Sequence, residues 1–362
     1  MRLFLLLFIL VGSTPLYAQP SVIFEATGKE SFHYPDTQLD SFLSLAHYKA
    51  ILVGETHTTN FEPEFKFLLI RQMHEQHGIR DVFMEIGHSA AWIFNQYLQS
   101  GDTGLFRHLH IVYSGTAKNY GVFWNNLYHY NQSLPPERKI RIHGVDFERT
   151  EVFYVLLALR PAERMPPASL LPVLRRLETY AAATGPDHFS KTFISQWKEL
   201  KMAMKGQLPE VLAYYGPNST IVANILDNDG PQTPAAPRRN KFMSRNMQRV
   251  LQENQINSFI GFFGAAHTGN MMHGALPDRI RQFSGYRDKV LVLNTVYFNA
   301  YSSFSKKTRP FIGFINEKSS LSLYDQYLKN GPRAVMLRCS DIPDNSIQRS
   351  ADYILLAKDI AE

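Results

Sequence analysis

Along this chain, short apolar runs alternate with segments in which apolar residues recur every three or four positions, as in a helix. This alternation limits the folds that the chain can adopt. Four runs, which we interpret as strands, lie in the segments YKAILVG, IRDVFMEIG, RKIRIHGVD and NSFIGFFGAAH. A segment of helical spacing joins the first two and ends near Gly78. Because strands joined through a helix are expected to be parallel, we predict an α/β fold with a mostly parallel central sheet flanked by helices.

The remaining segments extend the same pattern. We predict a helix over about 89–101, largely helical structure over 151–226 and a proline-rich loop over Asp227–Arg239. Three later apolar segments predict further strands: DKVLVLNTVYF, RAVMLRCS and ADYILLAKD. We therefore expect residues 19–362 to form a single α/β domain, with a helical insertion or cap at about 151–235.

The N-terminus has the pattern of a secretory signal peptide over residues 1–18. A basic start is followed by the apolar run LFLLLFILVG and by a small residue, Ala18, at the predicted cleavage site. The run is too short to span a bilayer. We expect the mature chain to begin at Gln19, to be exported to the periplasm or secreted, and to keep no stable membrane anchor after cleavage.

The composition is that of a folded protein. Hydrophobic residues make up 44% of the 362 residues, which argues against a disordered chain. The formal net charge is +6 without a long basic run, so we expect no nucleic-acid partner. The single cysteine, Cys339, cannot form an intrachain disulfide, and its place in a predicted strand favours a buried thiol.

Acidic and imidazole side chains follow each of the four predicted strands. Glu55 and His57 end the first, Glu85 the second, Asp146 the third and His267 the fourth. The carboxyl ends of parallel strands meet at one edge of a sheet, where open α/β sheets bind ligands. The sequence therefore predicts that these five residues converge on one polar cleft.

Such a group of side chains could support two kinds of chemistry. A neutral histidine can take a proton from water, a carboxylate can orient it, and a second histidine or an arginine can stabilise an oxyanion. The same side chains could instead bind a divalent metal. A serine-hydrolase elbow, a P-loop and a G-x-G-x-x-G loop are absent from the sequence. The segment HEQHG is one residue short of H-E-x-x-H, and we expect His74 and His77 to lie on a solvated helix surface.

Six motifs resemble the erythromycin esterase family, in the superfamily that also includes ChaN-like haem-binding lipoproteins. They are GETH, HGIRDVFMEIG, AAWIFNQYLQSGD, IRIHGVD, RNKFMSRNM and FFGAAHTGN. The resemblance implies that His57 is a general base that activates water, held by Glu55 or Glu85. It places further site residues at His267, Arg239 and Asp146. We expect His267 and Arg239 to stabilise the oxyanion.

Some features differ from the esterases. Thr56 alone separates Glu55 from His57, and this spacing is similar to the ChaN-like group or to the TraB/TIKI metalloproteases. The basic residue that the family places in the first helix falls on either Lys66 or Arg71.

We therefore predict a hydrolase that cleaves an ester or lactone without a cofactor and acts on a large, partly apolar small molecule. One alternative is a metal-dependent hydrolase or peptidase that uses Glu55, His57, Glu85 and His267 as ligands. The other is a ChaN-like protein that binds haem or another small ligand. The candidate axial ligands for haem are Tyr113, Tyr120, Tyr128 and His129.

Overall fold

The computed structural model describes most of the chain. The described residues are 22–26, 32–33, 43–56, 61–109, 119–185, 187, 189–230, 236–269, 274–302, 307–313, 315–329 and 334–358. The predicted signal peptide, its cleavage site, His57 and Tyr113 lie outside these residues.

Ten strands form one sheet in the described part of the chain. They are β1 (Val22–Ala26), β2 (Phe32–His33), β3 (Ala50–Glu55), β4 (Asp81–Met84), β5 (Arg141–Gly144), β6 (Phe259–Gly264), β7 (Val290–Ser302), β8 (Lys307–Ile312), β9 (Ala334–Arg338) and β10 (Tyr353–Lys358). Their order is β2-β1-β9-β10-β7-β3-β6-β4-β5, and β8 pairs with β7. The neighbours from β10 to β5 run parallel, whereas β1, β2, β8 and β9 pair antiparallel.

Thirteen α-helices accompany the sheet within the described ranges. They are α1 (Phe61–His77), α2 (His88–Ser100), α3 (Asn119–Ser133), α4 (Val152–Ala158), α5 (Leu171–Ala183), α6 (Lys191–Lys205), α7 (Leu208–Tyr215), α8 (Ser219–Asp227), α9 (Ala236–Glu253), α10 (Ala265–Thr268), α11 (Leu276–Ile280), α12 (Glu317–Leu323) and α13 (Asn345–Gln348). A π-helical turn, Tyr324–Leu328, follows α12. Of the helices that the structure describes, none is both long and apolar enough to cross a membrane.

The sheet separates two hydrophobic cores, because side chains of a strand point alternately to its two faces. In β3, Ile51 and Val53 belong to one core, together with apolar residues of α1 to α8. Ala50 and Leu52 belong to the other core, together with residues of α9, α11 and α12. All four residues are at most 2% exposed. A mostly parallel sheet covered by helices is the predicted fold class, which is confirmed.

The chain between β5 and β6 is largely helical and contains α4 to α9. The predicted loop over Asp227–Arg239 was partly wrong, because α9 already begins at Ala236. The proline at position 237 falls in the first turn of that helix, where its missing N–H costs no helical hydrogen bond. The assignment of residues 19–362 to a single domain stays a prediction.

The expectation that His74 is solvated was wrong. His74 is 1% exposed, because α1 packs against α3 on that side. Its Nδ1 lies 2.7 Å from the Tyr130 hydroxyl, and its Nε2 lies 2.9 Å from the carbonyl oxygen of Arg138. Burial lowers the pKa of His74. This histidine therefore links α1 to α3 through its contact with the Tyr130 hydroxyl. His77 is partly exposed, as a surface position would be.

Cys339 is fully buried behind β9, and burial raises the pKa of its thiol to about 12. A thiol with such a pKa is protonated at neutral pH and is a poor nucleophile. The expected burial of the thiol is confirmed, although Cys339 lies in a short 3-10 turn directly after β9 and not in the strand itself.

Candidate functional site at the carboxyl edge of the sheet

The strands that precede the predicted site residues are neighbours in the sheet. β3, β6, β4 and β5 lie side by side and run parallel, so their carboxyl ends share one edge. Of the predicted site residues that the structure describes, Glu85 contacts both Arg239 and His267, and Arg239 also contacts Asp146. Glu55 ends β3 next to them, because its backbone pairs in register with Gly264 at the end of β6.

Arg239 is the buried cation at the centre of this group. It is 7% exposed and lies in the first turns of α9. Its Nη2 donates to Glu85 Oε1 at 2.5 Å and also to Asp146 Oδ2, while its Nε lies 3.3 Å from Asp146 Oδ1. Burial alone would lower the pKa of Arg239, but the two carboxylates outweigh it and raise that pKa. The guanidinium therefore stays charged and compensates two buried acids.

Glu85 connects Arg239 with the end of β6. Its Oε2 accepts a hydrogen bond of 2.7 Å from the backbone N–H of Gly264. Its Oε1, which also accepts from Arg239, lies 3.4 Å from His267 Nε2. Because Gly264 ends β6 and His267 follows in α10, this carboxylate fixes the imidazole relative to the sheet edge.

The contacts of Asn240 determine the tautomer of His267. The Nδ2 of Asn240 donates to the carbonyl oxygen of Gly274 at 3.2 Å, so its Oδ1 is the atom that faces His267. That oxygen lies 2.5 Å from His267 Nδ1 and can only accept, so Nδ1 carries the proton. In the neutral ring, Nε2 then keeps a lone pair next to Glu85. His267 is buried, with 3% exposure.

Lys66 is the basic residue of the first helix that reaches the sheet edge. Its ammonium forms an ion pair with Glu55, and both side chains are at most 5% exposed. Three aromatic rings surround the ammonium, with centroids 5.0 Å away for Phe262, 5.3 Å for Tyr120 and 5.6 Å for Phe123. Such rings stabilise a desolvated cation. Arg71, the other candidate, is paired with Glu75 at 3.2 Å on the surface.

A further buried acid, Glu148, supports the site and was not predicted from the sequence. Its carboxylate accepts hydrogen bonds from the backbone N–H groups of His88 and Ser89 and from Asn228 Nδ2. It therefore satisfies the first turn of α2, where orphan N–H groups need acceptors. Burial raises the pKa of Glu148, and these hydrogen bonds oppose the rise. Its position two residues after Asp146 in the segment VDFERTE was the available signal.

Arg149 adds another positive charge beside the same carboxylates. Its Nη2 lies 3.6 Å from Asp146 Oδ2 and donates to the backbone carbonyl of Glu85 at 3.2 Å. The guanidinium carbon is 5.6 Å from the ring centroid of Phe147, and the residue is 8% exposed. Two arginines thus accompany Glu85 and Asp146.

The carboxylates that surround Arg239 do not form a suitable site for a divalent cation. Glu85 and Asp146 already bind a guanidinium, whose charge occupies the place that a metal would take. Among the described residues, histidine, cysteine and acidic side chains form no group of three or more that could hold a metal. His57 lies outside those residues, so a site that includes it stays a prediction.

The candidate haem ligands lie in different surroundings. Tyr120 is 3% exposed and faces the Lys66 ammonium. Tyr128 is partly buried and packs against Tyr97, with ring centroids 5.3 Å apart. His129 is exposed on α3. Haem binding remains a prediction.

Comparisons with known proteins identify the fold. The sequence matches no protein-family model and no curated protein. A structure of a Bacillus cereus protein has a TM-score of 0.58 at 14% identity, over 94% of this chain and 95% of the other. A mutant of erythromycin esterase EreC in its open conformation has a TM-score of 0.58 at 13% identity, over 91% and 95%. A succinoglycan biosynthesis protein has a TM-score of 0.59 at 13% identity, over 93% and 94%.

Together these structures define the class to which the fold belongs. The chain has the α/β fold of erythromycin esterase EreC, with similarity along nearly the full length of both chains. The resemblance predicted from the sequence motifs is thereby confirmed at the level of the fold. Identities of 13–14% do not establish a shared activity.

Proposed function

We propose that this protein is an exported hydrolase that cleaves an ester or lactone with water activated by a histidine. The observation that carries the proposal is the arrangement of His267. Asn240 holds the proton on its Nδ1, so Nε2 is the nitrogen that can take up a proton, 3.4 Å from Glu85 Oε1. The fold shared with erythromycin esterase EreC supports the same class of reaction.

The reaction follows from this geometry. His267 Nε2 removes a proton from water, and the water oxygen forms a bond with the carbonyl carbon of the substrate. The electron pair of the C=O bond moves onto its oxygen, and it returns when the bond to the alkoxide breaks. The imidazolium then gives its proton to the leaving alkoxide. Glu85, 3.4 Å from Nε2, stabilises the imidazolium.

The roles expected for the other predicted residues follow from their charges. We propose His57, which the sequence motifs led us to expect as the general base, as a second proton acceptor, because it follows Glu55 by two positions in the sequence. Arg239 binds the carboxylates of Glu85 and Asp146 and contributes positive potential to the edge where an oxyanion would form. Its contacts with both carboxylates favour this electrostatic role over direct binding of the oxyanion.

The substrate class and location are part of the same proposal. We propose a large, partly apolar small molecule as the substrate, because the rings of Tyr120, Phe123 and Phe262 lie around Lys66 at this edge and an aromatic lining suits such a compound. We propose export on the basis of the N-terminal pattern of residues 1–18.

A panel of esters and lactones, incubated with and without a chelator, tests the proposed function. We expect hydrolysis of at least one member at a rate that a chelator leaves unchanged. Loss of the rate on chelation, and its recovery with a divalent metal, would establish the metal-dependent alternative. Failure of the entire panel, together with a Soret band in the purified protein, would favour the haem-binding alternative.

A further inference from the structure

A basic groove lies on the outer side of α9, away from the candidate hydrolytic site. Its volume is about 570 Å³, which is in the range of small-molecule sites. Arg238, Lys241 and Arg245 contribute from one face of α9, at spacings of three and four residues. Arg279 contributes from α11 on the opposite wall.

The groove carries a positive charge that the protein itself does not neutralise. Its acidic side chain, Asp229, is already paired with Lys201 at 2.6 Å and with Lys205 at 3.4 Å. Within the described part of the chain, the four basic groups of the groove form no ion pair with a carboxylate. Arg279 Nε donates to the backbone carbonyl of Gly274 at 3.0 Å, and this contact holds the guanidinium in place.

Two aromatic rings lie among these charges. Phe242 is 6% exposed, and the guanidinium carbon of Arg245 is 5.5 Å from its ring centroid. Phe283 is partly exposed on the other wall. The exposed part of Phe283 therefore offers an apolar surface next to several cations, a combination that suits a ligand with an anionic end and a ring.

The groove is separate from the site at the sheet edge but adjoins it. Arg239 and Asn240 point from the other side of α9 into the buried network. The carbonyl oxygen of Gly274 accepts hydrogen bonds both from Asn240 Nδ2 and from Arg279 Nε. A ligand in the groove would thus not contact the buried carboxylates, so the inference does not depend on the proposed hydrolysis.

We propose that this groove binds a small phosphate monoester that carries an aromatic ring. A phosphate dianion has three acceptor oxygens and a charge that matches several cations better than a single carboxylate does. The ring packs on Phe283, and the phosphate contacts Lys241, Arg245 and Arg279.

Isothermal titration calorimetry with phenyl phosphate tests the assignment. We expect phenyl phosphate to bind more tightly than inorganic phosphate, phenol not to bind, and affinity to fall as salt rises. Lys241→Glu and Arg245→Glu should each weaken binding about tenfold or more, because each removes a charged hydrogen-bond donor. Both side chains are exposed, so both variants should keep the wild-type circular dichroism spectrum.

Lys198→Glu is the matched control, because Lys198 is exposed on α6 outside the groove. It makes the same change in charge and should leave the affinity for phenyl phosphate unchanged. Equal loss in Lys198→Glu would show a bulk charge effect and overturn the proposal. The proposal would also be overturned if the titration with phenyl phosphate gave no heat beyond the heat of dilution, or if inorganic phosphate bound as tightly as phenyl phosphate. Binding of a single-stranded DNA oligonucleotide through Lys241 and Arg245, without binding of phenyl phosphate, would assign the groove to a different ligand.

Discussion

At the scale of single residues, the buried charges of the site depend on Arg239. Asp146 is fully buried and Glu85 is mostly buried, and both carboxylates contact the guanidinium of Arg239. Buried acids without a cation are costly, because they lose hydration that nothing replaces. The arginine therefore has a structural role whatever its part in the chemistry.

Arg239→Gln should destabilise the protein by about 3–5 kcal/mol, because it removes the cation that contacts both Glu85 and Asp146 and leaves Asp146 only the longer contact with Arg149. Urea denaturation followed by circular dichroism measures the change. Arg245→Gln on the exposed side of the same helix is the control and should change stability by about 0.5 kcal/mol or less. Equal stability of Arg239→Gln and wild type would contradict the account of the charge network.

His88 is a second residue with a defined protonation state. Its Nε2 lies 3.1 Å from Arg249 Nη2, which can only donate, so the imidazole must be neutral. Burial, followed by the positive charges of Arg249 and His143, lowers the pKa of His88 from 6.5 to about 3. The unfolded chain therefore binds a proton between pH 6.5 and 3 that the folded chain does not bind, and this residue makes stability fall as pH decreases.

His88→Gln tests this consequence, because glutamine offers an acceptor to Arg249 but does not titrate. Between pH 7 and 5, wild type should lose about 2 kcal/mol of stability more than the variant does. The free energy of unfolding, measured in urea at both pH values for both proteins, gives the difference. Equal losses would show that His88 titrates normally in the folded state.

At the scale of elements, the approach of β5 to the turn after β4 brings Asp146 close to Glu85. Gly144 ends β5, and a Cβ there would meet the carbonyl oxygens of Gly87 and Ile86. The same carbonyl of Ile86 accepts a 2.8 Å hydrogen bond from the backbone N–H of Asp146. The glycine thus allows the two backbones to approach closely enough for both acids to reach Arg239.

Gly144→Ala should therefore destabilise the protein by about 1–3 kcal/mol, because backbone atoms cannot move aside as a flexible side chain can. Gly121→Ala is the matched control. Gly121 is exposed within α3, and its Cβ would meet nothing within 4 Å, so alanine should stabilise by about 0.5–1 kcal/mol. Thermal denaturation of both variants measures the two changes, and equal midpoints would refute the role of Gly144.

Seven strands, β3 to β7, β9 and β10, were predictable because their apolar runs are short and end in polar residues, whereas β1, β2 and β8 were not predicted. Glu85, Asp146 and His267 could be placed together because parallel strands share an edge. The burial of His74 could not be predicted, because it depends on α3 covering that side of α1. For the same reason Lys66 and Arg71 were indistinguishable before their neighbours were known.

At the scale of the whole molecule, α9 joins two separate features. One side of the helix supplies Arg239 and Asn240 to the buried network, and the other side supplies Arg238, Lys241 and Arg245 to the basic groove. The sequence motif RNKFMSRNM indicated only the first of these. The groove could not be predicted, because Arg279 and Phe283 come from a different segment and only the fold brings them opposite α9.

The central claim is that an imidazole at this sheet edge takes a proton from water. His267→Gln and His47→Gln provide a matched pair, because His47 is exposed and lies just before the amino end of β3, whereas His267 lies at the carboxyl ends of the strands. The most direct test is kcat/KM of both variants on the ester or lactone that wild type hydrolyses best. We predict a loss of about 10²–10⁴ for His267→Gln and an unchanged value for His47→Gln. A wild-type value for His267→Gln, with the fold intact, would contradict the account.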